Sequence, residues 1–214
     1  MGNAAGRRQK ILDDIAAAAA LAKRDPADVL LIAVSKGRSA EEIEALIDVG
    51  QRDFGENRVQ EALAKWPPLL ERYPDIRVHE IGRLQSNKAA DAVQLFATIH
   101  SVDRISLFDA LVKTGKTPSV YIQVNIGEEE QKGGCAIDEI GALVEAVRAS
   151  PLPLAGLMAI PPLGVEPAPY FALLAKLARR HDVTGLSIGM SADFKAAVML
   201  GATAVRIGTA LLED

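Results

Sequence analysis

Val29-Leu30-Leu31-Ile32-Ala33-Val34-Ser35-Lys36 is an unbroken apolar, β-favouring run that ends on a lysine. A run of this kind marks a strand buried on both faces, as in a parallel sheet. Gly37 and Arg38 follow, and Ser39 with Glu42 three residues on forms a capping box for the next helix. Lys36 therefore stands where a buried strand becomes a loop. In α/β proteins that carboxyl edge is where ligands bind. Two readings of Lys36 stay open from this stretch. It marks the strand's exit into solvent, or its amine, partly withdrawn from water, attacks carbonyls to form a Schiff base.

Outward from this strand the pattern repeats. Strands are expected at Arg52–Gly55, Arg77–Gly82, Phe96–Ser101, Ser119–Asn125, Leu154–Ile160, Leu186–Gly189 and Ala204–Gly208. Helices fill the intervals, over about 40–49, 58–70, 88–92, 103–112, 138–149, 170–180 and 191–200, with Pro67-Pro68 expected to interrupt the second near its end. Eight strands alternating with seven helices predict a single (β/α)8 TIM barrel, one domain over residues 1–214. An additional amphipathic helix, about Arg7 to Lys23, precedes the repeat. A doubly wound sheet would carry a dinucleotide fingerprint after its first strand, and Ser35-Lys36-Gly37-Arg38 is not one.

Composition narrows the function. The chain has 214 residues, 49% of them hydrophobic, enough for one sizeable core. A net charge of −4 gives no electrostatic case for nucleic acid or an anionic membrane. Cys135 is the only cysteine, which excludes an intrachain disulfide and suits a reducing compartment. His79, His100 and His181 are scattered without the spacing of a zinc site, and no carboxylate cluster suits another metal. Met1 to Gly6 opens like a myristoylation signal, but Gly6 stands where Ser or Thr is required. The Ala-rich stretch Ile15 to Ala22 is too short to span a bilayer. A cytoplasmic protein is expected.

The other strand ends are polar. Gly189-Met190-Ser191 follows the seventh strand, with Ser191 expected to cap the next helix, and Gly208-Thr209 follows the eighth. Loops at these two places are the usual phosphate site of a barrel. Arg206, inside an apolar strand, is either a satisfied structural arginine or one aimed at a ligand, and either way it needs acceptors. Glu56, Asn57, Gln85, Asn87, Lys88, Asp103, Arg104 and Asn125 are expected to line the same mouth.

Several segments together resemble the pyridoxal 5′-phosphate (PLP) homeostasis proteins, which share the alanine racemase N-terminal type of barrel. They are Ala33-Val34-Ser35-Lys36, Phe54-Gly55-Glu56-Asn57-Arg58-Val59-Gln60-Glu61 and Ile81-Gly82-Arg83-Leu84-Gln85-Ser86-Asn87-Lys88. His100-Ser101-Val102-Asp103-Arg104, Gln123-Val124-Asn125 and Gly156-Leu157-Met158-Ala159-Ile160-Pro161 continue the series. Gly189-Met190-Ser191-Ala192-Asp193 and Val205-Arg206-Ile207-Gly208-Thr209 complete it. The resemblance implies that Lys36 carries PLP as a Schiff base, that Ser191, Gly208 and Thr209 hold its phosphate, and that Arg206 faces its ring nitrogen. Asn57 and Met158 are implied beside the cofactor. Departures occur at Gly127-Glu128 (usually Ser-Gly), Ala90 and Ala168 (usually Arg), and in Leu211-Leu212-Glu213-Asp214, which lacks the usual Phe-Gly. They leave the implied cofactor residues intact.

The resemblance implies a monomeric PLP-binding regulator or carrier with little turnover, whose partners are PLP and apo PLP-dependent enzymes. The alternatives are a PLP-dependent amino-acid racemase or related enzyme, and a PLP-free Schiff-base aldolase. Enzymes built on this barrel generally add a β-domain, for which the strand positions here leave no room.

Overall fold

The computed structural model describes residues 4–212. The start of the Met1–Gly6 stretch and the terminal Glu213-Asp214 lie outside the described residues. Eight parallel strands close on themselves in chain order: β1 Leu30–Val34, β2 Asp53–Glu56, β3 Arg77–Glu80, β4 Thr98–Val102, β5 Ser119–Gln123, β6 Leu154–Met158, β7 Leu186–Ser187 and β8 Ala204–Ile207. The closing seam pairs Leu30 with Ala204 and Ile32 with Arg206. The expected (β/α)8 barrel is therefore the observed fold, and a closed sheet leaves no place for the doubly wound alternative.

Seven helices join the strands: α2 Ala40–Asp48, α3 Val59–Arg72, α4 Ala89–Ala92, α5 Ile105–Val112, α6 Ile140–Arg148, α7 Ala168–Arg180 and α8 Phe194–Met199. The capping box of α2 forms as read, with the Ser39 amide donating to Glu42 at 2.8 Å and the Glu42 amide to the Ser39 hydroxyl at 3.3 Å. Pro67-Pro68 does not interrupt α3, which runs on to Arg72. Both prolines lie on the exposed side, where water can satisfy the carbonyls their missing N–H groups leave free.

The N-terminal helix, α1 Ala4–Leu21, buries Ile11, Ile15, Ala18 and Ala19 at helical spacing against α8, α2 and the short α9 (Thr209–Leu212). After β8 the described chain has only that one helical turn, so α1 occupies the flank an eighth barrel helix would cover. The Arg24 guanidinium beyond α1 ties it to the end of α8, donating to the carbonyls of Val198 at 2.7 Å and Ala202 at 2.8 Å.

Strand alternation gives the barrel two faces. Leu31, Phe54, Val78, Ile99, Val120, Leu157, Leu186 and Val205 belong to one continuous apolar core with the helices. Their neighbours Ile32, Gly55, His79, His100, Tyr121, Met158, Ser187 and Arg206 turn into the lumen. A Cβ on Gly55 would lie 2.8 Å from Ile81 and 3.2 Å from Ile32, so glycine is what makes room there.

Candidate functional site

The loops leaving β1, β7 and β8 meet at one mouth of the barrel around a cavity of about 330 Å³, a size usual for small-molecule sites. Lys36, Ser191, Arg206, Gly208 and Thr209 all line it, together with Val34 and Met190. Lys36 is exposed rather than partly withdrawn from water, and it makes no hydrogen bond or ion pair among the described residues. Lys65, the next lysine along, is by contrast held at 2.7 Å from Glu56 and 2.8 Å from the Ser35 carbonyl. The amine at the mouth is thus the unengaged one.

Ser191 is not the cap of α8. The N-cap is Asp193, whose carboxylate accepts from the Met190 amide at 2.6 Å and folds the 190–193 turn. This frees the Ser191 hydroxyl for the cavity. Gly189 permits the turn, with φ +95° and Ala197 where a side chain would go. Gly208 differs: a Cβ there would meet nothing closer than 3.5 Å, so neither backbone nor packing requires glycine. Its absence of a side chain serves the cavity. Beside it, the first amides of the α9 turn have no partner within the helix.

Arg206 is 4% exposed and rises from β8 with its lower edge engaged. Nη1 donates to the Ser187 carbonyl at 2.7 Å and hydroxyl at 2.6 Å, and Nη2 to the Ala159 carbonyl at 3.2 Å. Burial lowers it to about 10, partly offset by Asp193 and Tyr121, so it remains a cation at neutral pH. A guanidinium has five N–H groups, and these bonds do not use them all.

Two of the residues implied beside the cofactor line other parts of the molecule, and two of the expected mouth residues are engaged elsewhere. Asn57 lines the adjoining cavities, one of them shared with Lys36, Gly37, Arg58 and Glu61. The larger neighbour, about 990 Å³, is a basic cleft bearing Arg58, Arg83, Lys88 and Arg104. Met158 is fully buried in the lumen and is not part of the cavity wall. Glu56 is not at the mouth at all. It is fully buried outside the lumen, accepting from the Ser35 hydroxyl at 2.8 Å and the Trp66 indole at 3.0 Å. Asn125 staples its own loop through both the amide and the carbonyl of Glu129.

His79 and His100 are what sequence reading missed. Far from scattered, they face each other in the lumen at 3.0 Å, with His100 stacked on Tyr121 at 4.4 Å between centroids. The signal lay in the strands themselves: Val-His-Glu and Ile-His-Ser place a polar residue at the inward position of a buried strand, as Val-Arg-Ile does at Arg206. Among the described residues no group of three or more His, Cys, Asp or Glu is placed to hold a metal ion. No helix there is long and apolar enough to cross a membrane.

A closed barrel with a free lysine after its first strand and small hydroxyl-bearing loops after its last two defines a class. Residues 9–214 match the alanine racemase N-terminal domain family. Within that class, the pyridoxal phosphate homeostasis protein of Pseudomonas aeruginosa is 43% identical over 212 residues, covering 94% of this chain and 91% of the relative. The structure of PipY from Synechococcus elongatus with PLP bound is 39% identical, with a TM-score of 0.79 over 92% of this chain and 99% of that one. The chain belongs to the pyridoxal phosphate homeostasis protein family. Alanine racemase from Corynebacterium glutamicum, at 19% identity and TM-score 0.67, shares the fold over 94% of this chain and 60% of its own.

Proposed function

We propose that this protein binds PLP through Lys36 and serves intracellular PLP homeostasis, holding the cofactor with little or no turnover. One observation carries the reading: the unengaged amine of Lys36 shares a single cavity with Ser191, Gly208, Thr209 and the inward cation Arg206. PLP, when bound, supplies an aldehyde for that amine, a phosphate and a pyridine nitrogen. The donor set fits it. Ser191, Thr209 and the α9 amides offer hydrogen bonds to a phosphate, and Gly208 leaves the space in which it would sit. Arg206 is left to donate at the ring nitrogen. A permanent cation there disfavours protonation of the ring, which makes it a weak electron sink for carbanions.

The wall of this cavity includes no carboxylate, imidazole or phenol, and Glu61, the carboxylate of the adjoining cavity that Lys36 also lines, is engaged by the Gly37 amide at 2.7 Å. That supports a carrier over a racemase. The exposure of Lys36 and of Met190 at the rim supports release of the cofactor to apo PLP-dependent enzymes; a cytoplasmic monomer is part of the same proposal.

Borohydride reduction of the PLP-loaded protein followed by peptide mapping tests the site, and the adduct is expected on Lys36 and absent in Lys36→Ala. An adduct chiefly on another lysine overturns the assignment. Deuterium exchange at Cα across an amino-acid panel tests the role. Exchange at kcat of about 1–10³ s⁻¹, typical of enzymes, would replace the carrier with the racemase-type reading.

A further inference from the structure

Arg206 is a buried cation with no ion-pair partner among the described residues, and what stands in place of one is a line of hydrogen bonds across the lumen. From Arg206 on β8 the line passes to the Ser187 hydroxyl on β7 at 2.6 Å, and from there to His100 Nδ1 on β4 at 2.9 Å. His100 Nε2 lies 3.0 Å from His79 Nδ1 on β3, and His79 Nε2 lies 2.9 Å from Asp53 Oδ1 on β2. Arg77 closes the far end, with Nε and Nη2 each 2.8 Å from an oxygen of Asp53. The line begins under the candidate cofactor cavity and ends at the opposite mouth, because Asp53 is the first residue of its strand.

With both rings neutral and Asp53 ionised, hydrogen-bond chemistry gives every link one direction. Arg206 can only donate, so the Ser187 oxygen accepts from it and the Ser187 proton is left for His100 Nδ1. An accepting Nδ1 puts the His100 proton on Nε2, where it is donated to His79 Nδ1. His79 then donates from Nε2 to the Asp53 carboxylate, which can only accept while ionised. Burial, reinforced by the cation of Arg206, holds His100 well below the usual imidazole range, in keeping with an unprotonated ring. Burial would raise Asp53, but the bonds from His79 and Arg77 outweigh it and keep the carboxyl below its usual range. The opposite polarity, with His100 donating to Ser187, would leave the serine proton without an acceptor in this line. All the link dipoles therefore point one way, from the buried cation toward the distant carboxylate.

We propose that Ser187, His100, His79 and Asp53 are positioning residues for the cofactor's ring nitrogen, acting through Arg206. They fix which edge of the guanidinium is engaged below, and so which N–H is left to face the cavity. This rests on the PLP reading above.

Two measurements test it. The first needs no cofactor: two-bond ¹⁵N–¹H correlation spectra of the cofactor-free protein should show His79 and His100 both carrying their proton on Nε2. A proton on Nδ1 of either ring, or a doubly protonated His79, overturns the direction of the chain. The second compares PLP with its analogue bearing CH in place of the ring nitrogen. The wild-type protein should prefer PLP by on the order of 10-fold, the worth of one charge-assisted hydrogen bond. Ser187→Ala, which cuts the chain, should bring that preference close to unity. Asp53→Asn keeps an acceptor but removes the terminal charge, and should lower it by about threefold, a fraction of such a bond. A packing role would weaken both ligands alike, so an unchanged preference in both variants overturns the proposal. Failure of the wild type to bind PLP at all would instead overturn the functional reading, an outcome no change in preference can mimic.

Discussion

The two faces of the barrel strands follow different rules. Outside, Leu31, Phe54, Ile99, Val120, Leu157 and Val205 merge with the helices into one apolar core, where burial itself supplies the stability. Inside, the corresponding positions hold two histidines, a tyrosine, a serine and an arginine, buried just as deeply. There the energetics lie in which hydrogen bonds are made, since an unmet buried donor costs more than a met one contributes. A change outside should therefore be felt in proportion to volume, and a change inside in proportion to broken links. The outer face fixes the strands, and the inner face fixes which polar groups stand beneath the mouth.

The strongest way to break this contrast is at equal burial. Phe171 on α7 is fully buried in the outer core, and Phe171→Ala should destabilise by about 3–5 kcal/mol through lost burial and a residual cavity. Met158, also fully buried but in the lumen, makes no polar contact through its side chain. Met158→Leu, which conserves volume, should cost less than about 1.5 kcal/mol. Denaturant midpoints of both variants check the two values, and a loss well above about 1.5 kcal/mol for Met158→Leu would show that the lumen depends on the shape of its apolar packing after all.

A second effect sharpens the contrast, because the outer face has its own polar exception. Glu80 on β3 is 1% exposed and accepts from the Ser101 hydroxyl at 2.6 Å. Burial pushes its carboxyl up to about 8 from 4.5, against the bonds from Ser101 and the Gly82 amide, with the charge of Asp103 adding to the rise. The folded state thus keeps a proton that the unfolded chain gives up near 4.5. Glu80's contribution is fully present below that value and is lost as pH climbs toward about 8. The loss should be on the order of a few kcal/mol, since each unit of such a shift is worth about 1.4 kcal/mol. Glu80→Gln stays neutral throughout, so its stability curve should lack this slope and lie above the wild type at the alkaline end. Parallel curves for the two proteins would mean that Glu80 does not hold its proton.

Most of the frame was legible because periodicity reports burial. The apolar run at Val29–Val34 and the spacing of its seven successors gave the strands, and the Ser39–Glu42 box gave a helix start to the residue. Lys36, Ser191, Gly208 and Thr209 were legible as strand-end residues because a barrel puts all such ends at one mouth. The lumen was not. His79 and His100 are 21 residues apart and meet Ser187 only because β4 and β7 face each other across a closed sheet. Closure is a property of the whole chain, and no local pattern carries it. Ser191 misled for a local reason: the amides of Asp193 and Phe194, which a Ser191 cap would accept from, donate instead to the Met190 carbonyl at 3.0 and 2.9 Å, and the N-cap falls at Asp193.

The smallest expected effect on stability separates a glycine that the fold needs from one that the site needs. Gly189 sits at φ +95° with Ala197 Cβ 2.6 Å and Phe194 Cα 3.0 Å from where its own Cβ would be. Gly189→Ala should cost roughly 1–3 kcal/mol from a left-handed backbone and a crowded contact. Gly208 has no such strain, and its nearest neighbours would be Val34 Cβ at 3.5 Å and the Val34 carbonyl at 3.8 Å, ordinary contacts. Gly208→Ala should leave stability unchanged or raise it by up to about 1 kcal/mol, because alanine restricts the unfolded chain more than glycine does. Its methyl group would nonetheless stand at the wall of the cavity shared with Lys36, Ser191 and Thr209. PLP should therefore bind Gly208→Ala more weakly, while pyridoxal, which lacks the phosphate, should bind both proteins alike. That pattern assigns Gly208 to the phosphate end. Undiminished PLP affinity in a stable Gly208→Ala protein would remove Gly208 from the site and leave the hydroxyls of Ser191 and Thr209 without the opening between them.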